Sequence, residues 1–393
     1  MHETIANLCL KHFNSLPKKG KPIDNEWTVL SCIVLEENEL FEVVALGTGS
    51  KCIGQNKLSP NGDILNDSHA EIICRRSFIR FLYDQLNLLR NKEKSVYLYD
   101  LNREIKIKPN VKFHFFTTHV PCGDAAIFSK QNEEDFGSIL ISGDFNDEPK
   151  QKKLKIDDIY RTGAKCLDHD EKQDPKLDGS AYHILGAVRR KPGRGDPTLS
   201  VSCSDKISRW VHLGIQGSLI FTITKQPIYI SSFTIAGDTP FNEDALKRAL
   251  FNRFGDIKLP LPFVQNKFII GQATLQFKYA KTNLKTPCPS SISWVKTDKE
   301  SLEVSVEGKK QGITKKDINK EIACVRICKK NLFGCFINTI KSLNLNVNGN
   351  FKSLTYKNAK TLSEEYVNAL KTYKDTIKVF TTKSDCLLQF KYK

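Results

Sequence analysis

The 393-residue chain reads as a mixed α/β fold, and three observations predict it. Apolar residues make up 40% and aromatic residues 9%, enough for a packed core in a chain of this length. Runs of β-branched and aromatic residues alternate with runs whose apolar residues recur at steps of three and four. At two places a strand-like run leads straight into a helix-like one, the order expected of a sheet flanked by helices.

Taken in order, "NEWTVLSCIVLEENELFEVVALGTGSKCIG" (25–54) predicts two strands joined by a polar turn, then a glycine-punctuated loop. Asn66, Asp67 and Ser68 are good N-cap types before a run that extends to about Leu89. Ile79, Leu82, Leu86 and Leu89 mark the apolar face of that helix. "VKFHFFTTHV" (111–120) predicts a strand that meets a short helix at Pro121. "TLSVSCSDKISRW" (198–210) repeats the arrangement, with a strand around Val201 and a helix after Cys203. Between these, 145–197 carries "KQKKLK", "DHDEKQDPKLDG" and "RRKPGRGD" and predicts a charged surface insertion, a kind of loop that often carries function. Its "RGD" is chance. "GSLIFTITKQPIYISSFTI" (217–235) predicts two strands broken at Pro227, and "NEDALKRALFNRF" (242–254) and "SEEYVNALKTYKDTI" (363–377) predict helices. No repeat or low-complexity linker divides the chain, so one domain over 1–393 is the simplest expectation.

Lys and Arg number 60 against 44 Asp and Glu, a net charge of +16 that favours a polyanionic partner, nucleic acid above all. No apolar run approaches the length of a membrane span, so no membrane partner is expected. The opening "MHETIANLCLKHFNSL" interrupts its apolar pattern with Lys11 and His12, unlike a secretory leader. The expected location is therefore intracellular, in the cytoplasm or nucleus. The 12 cysteines, irregularly spaced, then read as reduced and mostly core, with a few available to metal.

His69, Cys122 and Cys203 each fall at a predicted helix start, where unpaired N–H groups favour thiolate. Three protein ligands with an open fourth position is the pattern of a catalytic zinc, which lowers the pKa of bound water to about 7. Two residues beyond a ligand, Glu71 is placed to carry that water's proton to a leaving amine. Zinc nucleobase deaminases show H-x-E followed by P-C-x-x-C. Here "HAE" and "PC" match, but position 125 is Ala125, so a third ligand must come from elsewhere, and Cys203 is the best candidate. A rival set, Cys324, Cys328 and Cys335, has no histidine beside it, and the spacing of the first two suits a helical core stripe. His114, His119, His169, His183 and His212 read as ordinary packed or polar residues.

"LNDSHAEIICRRSFIRFLYDQL", "PCGDAAIFS" and "SCSDKISRWVHLGIQGSL" together resemble the ADAR-type adenosine-to-inosine RNA deaminase family, over about 25–392. "GTGSKCIG", "NGDILNDSHAE", "RTGAK" and "KPGRGD" are similar to its tRNA-specific branch, which acts on the adenosine 3′ of the anticodon of alanine tRNA. The resemblance implies a cytidine-deaminase-like domain, a mixed sheet flanked by helices with a helical C-terminal elaboration, and no separate double-stranded-RNA-binding domain. It implies zinc on His69, Cys122 and Cys203, with Glu71 as proton shuttle in attack at C6 of adenine. Ser50, where threonine is usual, and Lys51 would lie near the flipped nucleotide. Ala126 stands where some relatives have arginine, so that contact is not implied.

The resemblance also implies a buried inositol hexakisphosphate. Its shell would be Asn66, Arg75, Arg76, Lys206, Arg209, Trp210, Ser218, Lys329, Tyr356, Lys360, Tyr366 and Lys383, with a relay through Asp67 and Lys206 to the metal. Two departures thin the C-terminal part of that shell: Leu370 replaces a lysine, with Lys371 adjacent, and Phe380 replaces a tryptophan. Without the resemblance these basic residues would read as solvated or RNA-facing. The loop 163–197, with Arg189, Arg190, Lys191 and Arg194, is the expected RNA contact, and no DNA partner is expected. A second reading is an RNA-binding protein with an inactive deaminase fold; intact His69, Glu71, Cys122 and Cys203 argue against it.

Overall fold

The computed structural model describes residues 1–130, 159–167, 173–193, 195–345, 353–378, 380–381 and 383–392. The predicted insertion therefore falls partly outside the described residues, as do His169 and Arg194. The predicted hairpin is present: Leu30–Glu37 and Leu40–Thr48 pair antiparallel, with Glu37 opposite Leu40. Asn38 and Glu39 turn the corner at φ of 53° and 64°, the left-handed conformation a two-residue hairpin loop needs.

The hairpin lies near the middle of an eight-stranded sheet. Its order is Ile269–Gln272, Ser232–Ile235, Val111–Thr117, Leu30–Glu37, Leu40–Thr48, Ser290–Val295, Leu302–Val306 and Lys309–Lys310. The first three strands run parallel to one another, and every later pairing is antiparallel. Alternation divides the sheet into two faces. Cys32, Val34 and Phe116 pack with Ile5, Ala6, Cys9 and Phe13 of the helix His2–Ser15. Ile33, Leu35, Phe113 and Phe115 pack with Phe78, Phe81 and Leu82 of the long helix Ala70–Arg90 and with Ile207 and Trp210 of the helix Cys203–Leu213. Both faces are covered, which is why the central strand reads as one apolar run. Helices Lys329–Ser342 and Glu364–Ile377 form the C-terminal elaboration. No helix among the described residues is long and apolar enough to cross a membrane.

Several local expectations are corrected. Asp67–His69 is a short strand, so the N-cap of the long helix is His69 rather than a residue of 66–68. After Pro121 there is only a single 3₁₀ turn, Asp124–Ala126. Val201 makes one isolated bridge to Arg190 instead of a strand. Ser218–Thr224, expected as a strand, is a helix. A short apolar run cannot be assigned by period alone, and here Thr222 and Thr224 return their hydroxyls to the carbonyls of Ser218 and Ile220 at 2.9 and 3.2 Å. Cys324 and Cys328 do not share a helix: Cys328 caps Lys329–Ser342, its Sγ accepting from Asn331 N at 3.4 Å.

Two cations of the expected RNA-contact loop, Arg189 and Lys191, are buried rather than exposed. Arg189 is 0% exposed and forks onto Asp174 at 2.6 and 2.7 Å, with further bonds to the carbonyls of Ala164 and Ile184. Lys191 is only 1% exposed. A charge run usually means a solvated face, but here Asp174 of the same segment and Asp67, 124 residues away, draw two of its cations inside.

Gly47 seats the long helix. A Cβ added there would lie 2.4 Å from Cys74 N and 2.6 Å from Ala70 O, so helix backbone rests directly on strand backbone. Gly47→Ala should lower the unfolding free energy by about 3 kcal/mol, the upper part of the usual overpacking range. Urea denaturation measures this, and a loss under about 0.5 kcal/mol would show that strand and helix part freely.

Candidate active site

Three chain segments meet at one point. The strand Ser50–Cys52 pairs with Asp67–His69 so that Ser50 faces His69 and Cys52 faces Asp67. Ala70 N donates to Gly49 O at 2.9 Å, which ties the helix start to this ladder. Gly49 sits at φ +136° with Ser68 O 2.2 Å from where a Cβ would be, a close approach only glycine allows. His69 thus ends a strand and caps the helix, and Glu71, in its first turn, is 3% exposed.

Cys122 and Cys203, 81 residues apart in sequence, are stapled together. Cys203 N donates to Cys122 Sγ at 3.3 Å, while Ser204 donates to Cys122 O through its N at 3.0 Å and its Oγ at 2.7 Å. His69, Cys122 and Cys203 lie close enough to shift one another's titration. His69 Nδ1 is engaged by Asp67 Oδ1 at 2.9 Å, which leaves Nε2 for the sulfur side. Among the described residues no three His, Cys, Asp or Glu side chains stand open around an ion. The set itself, one imidazole and two thiols, fits zinc, and an ion entering would displace their shared protons.

The charges around this point explain its titration. Burial alone would raise the Asp67 carboxyl, but the ammoniums of Lys191 and Lys206 overcome that and hold it well below the ordinary range. Lys191 Nζ lies 2.8 and 3.1 Å from the two Asp67 oxygens and 3.1 Å from Cys203 Sγ, and Lys206 donates to Asp67 from the other side. Burial and Lys191 oppose charging His69, yet Asp67 prevails and raises it to about 9. The hydrogen bond from Cys203 holds Cys122 well below the thiol range, and burial keeps Cys203 high. Burial also raises Glu71, against the pull of Lys191. Ser50 Oγ, register neighbour of His69, is buried without a partner among the described residues.

Behind Asp67 opens a cavity of about 450 Å³, and all twelve residues expected for a phosphate shell line it. Eight lysine and arginine side chains face a single carboxylate, Asp67. Burial first, and neighbouring cations next, depress Lys329 to about 7, Lys360 and Lys383 to about 8, and Arg75 to about 10. Trp210 Nε1 is buried without a partner, under an Arg75 guanidinium 5.5 Å from the ring. Asn66, oriented to donate to Ile64 O, accepts from Lys329 Nζ at 3.3 Å. The lining fits a dense polyanion, since among the described residues Asp67 is the one carboxylate set against eight cations.

The two departures at the C-terminal end prove mild. Leu370 and Phe380 both line the cavity, but so does Lys374, one turn beyond Leu370 on the same helix, whereas Lys371 does not. Phe380 still offers a ring to Arg209 at 5.9 Å and Lys374 at 6.0 Å. Lys374 was legible from the i, i+4 spacing. Asp205 was legible too: with the N-cap Ser202 it forms a capping pair, accepting from Ser202 Oγ at 2.5 Å and Arg189 N at 3.0 Å, and its carboxylate lies 2.6 Å from Arg253. Lys191 gave no such signal, because its partner Asp67 lies 124 residues away.

The depressed lysines carry a sign. Between about pH 7 and pH 10 the unfolded chain, with lysines at their ordinary 10.5, binds more protons than the anion-free fold, so stability rises with pH there. Denaturation midpoints of anion-free protein at pH 6.5, 8 and 9.5 should climb in that order. A flat or falling profile would mean the cavity cations are not confined together.

The adenosine-deaminase (editase) domain family profile matches residues 45–382. Over 348 residues the chain is 39% identical to the tRNA-specific adenosine deaminase 1 of Drosophila melanogaster, covering 86% of this chain and 82% of that protein. The Mus musculus protein of the same name is 35% identical over 442 residues, covering 87% and 88%. The double-stranded RNA-specific adenosine deaminase of Mus musculus is 29% identical over 391 residues, which span 96% of this chain but 31% of that protein. With three segments converging on one imidazole, two thiols and a buried glutamate, the chain belongs to the adenosine-deaminase (editase) domain family.

Proposed function

We propose that this adenosine deaminase converts adenosine to inosine in tRNA by hydrolysis, that zinc is held by His69, Cys122 and Cys203, and that its substrate is the adenosine 3′ of the anticodon of alanine tRNA. The observation that carries the reading is the meeting of those donors beside Glu71, a carboxyl buried at 3% exposure and raised by that burial. The tRNA-specific enzymes matched over more than four-fifths of their length support tRNA over duplex RNA. Bound there, zinc supplies Lewis-acid activation of water.

The chain's own residues do the rest. Glu71 takes the proton from the attacking water and delivers it to the departing N6 amine. Asp67 fixes the Nδ1 proton of His69 and so presents Nε2 to the site. Lys191 steadies negative charge on Cys203 Sγ. Ser50 Oγ, a buried hydroxyl still without a partner, orients the extruded nucleotide, with Lys51 beside it. The cavity behind takes inositol hexakisphosphate, whose phosphates answer the eight cations, Lys206 among them on the far side of Asp67.

Incubation with alanine tRNA followed by sequencing for inosine beside the anticodon tests the activity; zinc-loaded protein that makes none sinks the reading. Glu71→Ala should lower turnover by about 10³-fold or more while zinc content stays near that of the parent protein. Loss of zinc in that variant would contradict the shuttle role. Less than about half an equivalent of zinc in active-site-intact protein would favour the inactive RNA-binding alternative. Native mass spectrometry should show the hexakisphosphate, and its addition to stripped protein should raise the denaturation midpoint most at the acid end of the pH series.

A further inference from the structure

Outside the cavity, a second group of cations is built with aromatic rings. Backbone hydrogen bonds lead to it from the site: Gly49 N donates to Val29 O at 3.0 Å, Thr28 N to Tyr279 O at 3.0 Å, and Cys288 N to Trp27 O at 2.9 Å. Trp27 and the segment 278–285, "KYAKTNLK", therefore lie a few residues from Ser50. Lys278 Nζ rests 5.4 Å from the centre of the Tyr279 ring, and Lys281 Nζ rests 5.6 Å from that of Trp27. Both lysines are exposed, and Leu284 beyond them is 94% exposed. The Lys281 charge reaches His119, three residues before Cys122, and the Lys51 charge reaches Cys288.

Cations alternating with ring faces suit unpaired RNA, whose bases can stack while its phosphates are held. A duplex buries those base faces, and an acidic peptide has no use for the rings. We propose that Trp27, Lys278 and Lys281 dock the unpaired RNA strand beside the extruded adenosine: a base stacks on the half-buried Trp27 ring, the lysines turn to the adjoining phosphates, and Tyr279, packed against Phe13 and Phe277, holds the segment in place. The inference rests on the tRNA reading above and names where the loop strand lies.

The test uses the full zinc-loaded protein and a fluorescently labelled anticodon stem-loop transcript, read both by anisotropy and by inosine formation. Changing Lys278→Ala and Lys281→Ala together should weaken binding about tenfold and lower the slope of log Kd against log salt by roughly 1.4, about 0.7 for each single-strand phosphate contact. Trp27→Ala should weaken binding about tenfold, Trp27→Phe should restore it, and kcat at saturating transcript should stay within about twofold of the parent throughout. Unchanged affinity and salt slope in the double lysine variant would overturn the proposal. So would displacement of the transcript by duplex RNA or polyglutamate as readily as by unlabelled stem-loop. Because binding is read directly, protein that binds the loop in this way yet makes no inosine would overturn the tRNA deaminase reading and leave the surface standing.

Discussion

Asp67 is the group on which the site depends. A buried carboxylate costs several kcal/mol in desolvation unless it is fully partnered, and this one has His69, Lys191 and Lys206 around it. None of those partners serves Asp67 alone. His69 offers its other nitrogen to the thiols, Lys191 also contacts Cys203 Sγ, and Lys206 lines the cationic cavity. Removing the carboxylate would leave two ammoniums buried beside an imidazole with no fixed tautomer, so the donor cluster and the cavity behind it form one electrostatic unit.

That unit changes how the net charge of +16 is understood. A basic chain suggests an outward, nucleic-acid-binding surface, but eight of its cations line a cavity in which Asp67 is the one carboxylate among the described residues. Others that look solvated, such as Arg189 and Lys191, are closed off by Asp174 and Asp67. The part left for RNA is smaller and more local than the total implies. Lys278 and Lys281, which lie over rings beside the site, belong to that remainder.

Much of this was legible in the chain because it is written locally. The hairpin, the long helix and the helix Glu364–Ile377 follow from alternation and 3.6-residue periodicity, and "HAE" and "SCSD" sit at helix starts as expected, whereas "PC" precedes only a 3₁₀ turn. The twelve cavity residues were reached through family resemblance, since their shared direction inward has no local mark. What could not be read was long-range or ambiguous in period. Ser218–Thr224 is β-branched and apolar on all sides, so strand and helix patterns coincide. His69 displaced 66–68 as the cap because a pairing with Ser50–Cys52 holds those residues extended. Lys191 sits among Pro, Gly and Arg, and only a partner 124 residues away makes it a core residue.

The geometry also explains why an anion site should lie against a deaminase centre at all. Cys203 and Lys206 are three residues apart on the first turn of one helix, a spacing that puts them on neighbouring positions of one face. A metal at the thiols and an anion in the cavity would therefore load the same turn from two sides, with Ser202 and Asp205 fixing its start. Rotating that helix to loosen one contact would break the other. The cationic cavity and the two thiols thus share one helix start, and whatever fixes Lys206 also fixes Cys203.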